Sequence, residues 1–148
     1  MTWHDDELRN ELRDRLARGA VSIGPDGEVF KMLARLYPLA DSRIDWRKLE
    51  LRVQGGSGDE PDWTSRFVSF FREQRDVHGL SGRVIYAGDG VTTLAVQADM
   101  DDMIEIMPIV LSYPQHHYFV SERYRWCFCM SFENAIDFGL PAAVGFSS

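Results

Sequence analysis

His116 and His117 stand side by side, and Cys127 and Cys129 are one residue apart, inside the aromatic-rich stretch "QHHYFVSERYRWCFCMSFENAIDFG". Imidazoles and thiolates together could hold a zinc ion, and a thiolate beside an imidazole could act as a nucleophile. Either chemistry requires the side chains to share one face of a hairpin. A turn centred on Ser121–Arg125 pairs Val120 with Trp126, Phe119 with Cys127, Tyr118 with Phe128 and His117 with Cys129. Period-two alternation then places His117, Phe119, Cys127 and Cys129 on one face, and His116, Tyr118, Val120, Trp126, Phe128 and Met130 on the other.

Three observations count against chemistry there. A flat Cys-x-Cys strand spreads its sulfurs more than the bent knuckles of structural zinc sites. The chain has no third cysteine, and His4 and His78 lie in other segments. A thiol between Phe128 and Met130 on an inner strand is buried, which raises its pKa and makes it inert. The expected structure is a buried hairpin holding no metal and no cofactor. A small thiol- or metal-dependent enzyme using His117, Cys127 and Cys129 is the alternative.

No other motif supplies machinery. "GPDG" and "GDG" lack the Lys and Ser/Thr of a phosphate-cradling loop. "DMDD" lacks the alternating oxygen ligands and later Glu of a calcium loop, and reads as the acidic first turn of a helix.

The elements around the hairpin follow from periodicity. Leu8, Leu12 and Leu16 mark an amphipathic helix over 3–18, acidic in its first turn, with Gly19 beyond it. A turn at "GPDG" leads into a helix from Gly27 to Tyr37, stopped by Pro38. Leu49, Leu51 and Val53 alternate with Lys48, Glu50 and Arg52 as a strand with one wet face. "QGGSGDEPD" is a loop, and Asp62 caps a helix carrying Trp63, Phe67, Phe70 and Phe71 on one side. Gly88-Asp89-Gly90 signals a tight hairpin. Asp99 or Asp101 caps a helix with Met103, Ile106, Met107 and Val110 buried, which Pro108 kinks or truly begins. The tail "LPAAVGFSS" frays. The order predicts one α+β domain over residues 1–148, an antiparallel sheet of hairpins with helices packed on one face. A chain of 148 residues, 45% apolar, can bury such a core unaided.

The net charge of −7 is unevenly placed. Residues 1–75, mainly helical, carry 13 Lys or Arg against 14 Asp or Glu; residues 76–148, the β-β-α-β-β part, carry 3 against 9. That balance disfavours binding to a nucleic-acid backbone and suits steering toward a basic protein. No apolar run is long enough to span a bilayer, and "MTWHDDELRNEL" reads as a charged helix rather than a signal peptide. Free thiols then point to the cytoplasm.

"YAGDGVTTLAV" and "PQHHYFVSERYRWCFCMSFENAIDFG", within Gly82–Gly139, resemble the immunity proteins of bacterial polymorphic-toxin and contact-dependent inhibition systems. The resemblance rests on "HHY", the Trp opening a strand, and "E…DFG". It implies a non-enzymatic protein that neutralises a cognate toxin C-terminal domain, often a nuclease, by blocking its active site or substrate groove. Carboxylates would imitate the phosphates a basic nuclease expects. The expected contacts are Asp89, Asp99, Asp101, Asp102, Glu105, Glu122, Glu133 and Asp137, with Tyr124 as an aromatic anchor. An adaptor domain for a partner other than a toxin is a further alternative.

Overall fold

The computed structural model describes residues 2–37, 39–40, 43–44, 51–56, 62–132 and 135–140. The fold is α+β, as its hydrophobic periods predict. Its helices are α1 (Trp3–Glu11), α2 (Arg13–Ala17), α3 (Gly27–Leu36), α4 (Trp63–His78) and α5 (Met100–Val110). Its strands are β1 (Val21–Pro25), β2 (Leu39–Ala40), β3 (Arg43–Ile44), β4 (Leu51–Gly56), β5 (Arg83–Asp89), β6 (Leu94–Asp99), β7 (His116–Ser121), β8 (Cys127–Met130) and β9 (Ile136–Leu140). Seven strands form one antiparallel sheet in the order β1-β6-β5-β7-β8-β9-β4, and β2 and β3 pair separately.

Alternation divides the sheet into two apolar faces. Val84, Tyr86, Val96, Phe119, Phe128, Ile136 and Phe138 meet Leu8, Phe67, Phe71, Met103 and Met107 from α1, α4 and α5. Ile85, Ala87, Ala95, Tyr118, Val120, Cys127 and Cys129 meet Val29 and Leu33 of α3, together with Tyr37. The sheet is therefore covered on both faces, where helices on one face were expected. The apolar stripe of α3 has its own sheet surface to bury, because β5, β7 and β8 are apolar at successive positions rather than at alternate ones.

Several boundaries differ from the sequence reading. The first helix breaks at Leu12, giving α1 and α2. Thr2 caps α1 through a capping box with Asp5, whose amide donates to Thr2 Oγ1 at 3.0 Å. β1, β2, β3 and β9 were not anticipated. β1 is an edge strand whose alternation lasts only from Val21 to Ile23 before Gly24 and Pro25. The β5–β6 connection runs from Gly90 to Thr93, longer than a tight turn. Its glycine serves a different purpose: a Cβ on Gly88 would lie 2.0 Å from Gln115 Nε2. Asp99 occupies the cap position of α5 but makes no capping bond; its carboxylate meets Arg83 at 3.5 Å. Pro108 lies exposed in the last turn of α5, so the helix begins at Met100 and not at the proline; lacking an N–H, Pro108 leaves the Ile104 carbonyl without its i+4 donor. The expected strand residues 45–50, most of the expected loop after Gly56, and the tail after Leu140 fall outside the described residues.

Candidate partner-binding surface

The histidine and the cysteines do not meet. The observed register pairs Val120 with Cys127, Phe119 with Phe128, Tyr118 with Cys129 and His117 with Met130. This is one residue away from the expected register, and a slip of one moves every side chain to the opposite face. The cause is the turn. Ser121 N bonds Trp126 O at 3.3 Å, so the turn proper is Glu122–Arg125, with Tyr124 in the left-handed region at φ 58°. His117 consequently sits on the α4–α5 side with Phe119, while both cysteines sit on the α3 side. Among the described residues no group of three His, Cys, Asp or Glu side chains is placed to hold a metal.

Both thiols are buried, and burial pushes Cys127 well above its ordinary range. Native protein is expected to resist a polar thiol reagent at both cysteines and to react fully once unfolded. Rapid labelling of the folded state would show that β8 is open.

His117 belongs to a buried polar network. Tyr86 Oη lies 2.7 Å from His117 Nδ1, and Gln115 Nε2 donates to Tyr86 Oη at 3.1 Å and to Thr92 Oγ1 at 2.9 Å. Gln115 Oε1 accepts from the amides of Val91 and Thr92. Burial lowers His117 to a pKa of about 4, against the pull of a bond to the Tyr113 backbone, so the ring is neutral. An unfolded histidine titrates near 6.5. The stability tied to His117 is therefore complete above pH 6.5 and is lost as pH falls toward 4. The loss between pH 7 and pH 5 is expected to be about 2 kcal/mol. Urea midpoints of His117→Gln should lack that slope; an identical slope would place the titration elsewhere.

The acids expected to contact a partner divide into three groups. Asp137 and Tyr124 are inside the fold, which corrects their assignment to a contact surface. Asp137 is 5% exposed and accepts from Arg52 Nε at 3.0 Å; burial raises its pKa, and Arg52 opposes that rise. Tyr124 is 9% exposed and packs in the cluster under α3. Asp99, Asp101 and Glu105 are exposed but face arginines of their own chain: Arg83 at 3.5 Å, Arg75 at 3.7 Å and Arg15 at 3.0 Å. Asp102 is half-buried beside them. Glu122 is exposed in the β7–β8 turn, and Glu133 lies outside the described residues. Asp89 is exposed at the end of β5, with no ion-pair partner among the described residues.

Around Asp89 the fold gathers residues that the sequence reading did not single out. Asp5 is buried beneath the β5–β6 connection. Its Oδ1 accepts from Thr93 N at 2.7 Å, and its Oδ2 accepts from Thr93 Oγ1 at 2.6 Å and Thr2 N at 2.9 Å. Burial raises its pKa, but these bonds outweigh burial and the net shift is downward, so Asp5 is a fixed negative charge. Asp26, at the cap position of α3, joins the same loop through its amide, which donates to Thr93 O at 3.3 Å. Burial above all raises the Asp26 carboxyl, a bond to its own backbone opposes that rise, and the charges of Asp5 and Asp89 add to it. Trp3 and Phe132, on segments bonded to this end of the sheet, are 70% and 60% exposed. Thr2 Oγ1 donates to Val91 O at 2.8 Å, which holds the Trp3 end of α1 against the loop. The Phe132 amide donates to Nδ1 of His116 at 2.9 Å, and His116 is the register partner of Asp89.

Comparison with protein-family models, curated proteins and solved structures finds no match to this chain. The surface must be read from its own chemistry. One end of the sheet carries Asp5, Asp26 and Asp89, with no ion pair to Lys or Arg at these acids among the described residues, and Trp3 and Phe132 are exposed on segments bonded to the same end. The acids come from three separate segments, so their convergence had no signal in sequence spacing.

Proposed function

We propose that this protein is an immunity-type inhibitor that binds a basic toxin domain, with a nuclease as the favoured target, and covers its substrate groove. One observation carries the reading: Asp5 and Asp26 are both tied to Thr93 in the loop that follows Asp89, and burial first, then the charges of Asp5 and Asp89, raise the Asp26 carboxyl. A field of that kind is relieved by a cationic surface brought from outside. Trp3 and Phe132 supply the aromatic anchors such interfaces place beside charge. The contact is centred on Asp26 and Asp89. The acids of α5 are secondary, because arginines of the same chain offset most of their charge.

The test is genetic and biochemical together. The adjacent reading frame should encode a secreted protein whose C-terminal domain arrests growth when expressed alone. Co-expression of this chain should restore growth, and the two should purify as a stoichiometric complex. A toxic neighbour that this chain neither binds nor neutralises would end the proposal.

A further inference from the structure

The opposite end of the sheet has the reverse charge. β5 begins at Arg83 where β7 ends at Ser121, so this end is a full strand length from Asp89. Between the α4–β5 connection and the β7–β8 turn lies a groove of about 400 Å³, lined by Ser81, Arg83, Ser121, Arg123, Arg125 and Trp126. Three arginines line it in a chain of net charge −7. Arg83 is held by Asp99 at 3.5 Å and donates to Ser22 Oγ at 3.1 Å. Arg123 and Arg125 are exposed and have no ion-pair partner among the described residues. Glu122 is the one acid on the lining.

The backbone at Arg123 and Arg125 is set by the same turn that sets the hairpin register. A tyrosine at positive φ is uncommon and persists only where its surroundings over-determine it. Here Tyr37 Oη donates to Tyr124 O at 3.1 Å, Tyr124 N donates to Ser121 O at 2.8 Å, and Glu122 N donates to Arg83 O at 3.0 Å. With Tyr124 buried under α3, its neighbours Arg123 and Arg125 are exposed on the groove. Arg125 N also donates to Ser121 Oγ at 2.8 Å, which leaves the Ser121 hydroxyl proton free to donate. Across the groove, Gly79 and Gly82 at φ 63° and 93° keep that wall low.

From this arrangement we infer that the groove is a binding site for a phosphate group, carried by a small phosphomonoester or as the free ion. Guanidinium forks match phosphate oxygens in pairs. Two arginines lacking an anion, with a third steadied beside them, suit the double charge of a phosphomonoester better than a single carboxylate. The volume is at the small end of ligand sites, of about 300–1,000 Å³, and admits a phosphorylated sugar or amino acid. The inference is independent of toxin binding, which uses the other end of the sheet.

The experiment is a nuclear magnetic resonance titration of the full chain with inorganic phosphate, glycerol phosphate and acetate at constant ionic strength. The backbone amides of Arg123 and Arg125 and the Trp126 indole are followed. Saturable shifts confined to these groups are expected with phosphate ligands at no more than about 10 mM, and not with acetate. Arg123→Gln/Arg125→Gln should weaken binding at least about tenfold. The control pair Arg13→Gln/Arg18→Gln, equal in charge but on the α2 side, should not. Tighter binding of glycerol phosphate assigns the site to an ester; equal binding assigns it to the free ion. Absent or unsaturable shifts, acetate binding as strongly, or equal weakening by the control pair would each overturn the inference.

Discussion

Phe128→Ala is expected to destabilise the fold by about 3 to 5 kcal/mol, a large share of what a domain of this size has in reserve. Phe128 is fully buried on β8, at the centre of an aromatic cluster drawn from three elements. Its ring centroid lies 4.3 Å from Phe71, 4.5 Å from Phe138, 5.6 Å from Trp126 and 5.9 Å from Phe70. Removing the ring leaves a cavity bounded by other rings and by backbone on a strand paired on both sides, so the site cannot easily collapse. The contrasting variant is Phe132→Ala, whose ring is exposed and which should change stability by no more than about 0.5 kcal/mol. Urea unfolding with unchanged m-values checks both. A Phe128→Ala midpoint equal to that of the parent would mean that β8 is not the centre of the core.

The largest effect on function is expected from Asp26→Asn combined with Asp89→Lys. The Asp26 side chain makes no capping bond to α3, and Asp89 is exposed, so folding should be nearly unchanged. Affinity for the proposed toxin domain should fall about 100-fold, since the pair removes one carboxylate and reverses another at the centre of the proposed contact. Trp3→Ala and Phe132→Ala should each weaken the complex mainly through faster dissociation. Asp101→Asn with Glu105→Gln should do much less, because Arg75 and Arg15 already face those acids.

The sequence was most informative where one period dominated a long segment. α4 runs from Trp63 to His78 behind Asp62, and α3 and α5 fall close to their expected bounds. It misled where one residue decided parity. Tyrosine carries no sequence signal for a left-handed turn, so nothing in "SERYR" distinguished a turn over Glu122–Arg125 from one residue more. That single residue separates a plausible His-Cys site from two unrelated buried clusters. Asp5 read as an ordinary first-turn acid, yet Thr93, far along the chain, supplies the bonds that bury it. Asp26 read as part of a turn, and its electrostatic role exists only once Asp5 and Asp89 are brought beside it. Charge counting pointed to residues 76–148, yet two of the three acids that meet at this end of the sheet, Asp5 and Asp26, come from the other half, and it could not see that α2, α4 and β5 send arginines to the acids of α5 and its cap.

The account is tested most directly by the association rate with the proposed toxin domain as a function of salt. If Asp26 and Asp89 steer a basic partner, the rate should fall at least about tenfold between roughly 50 and 200 mM salt, with dissociation little changed. The Asp26→Asn/Asp89→Lys variant should start slow and show a flat dependence, while the Asp101→Asn/Glu105→Gln variant should track the parent. A flat parent curve, or equal sensitivity to both pairs of substitutions, would contradict the acidic end of the sheet as the binding surface.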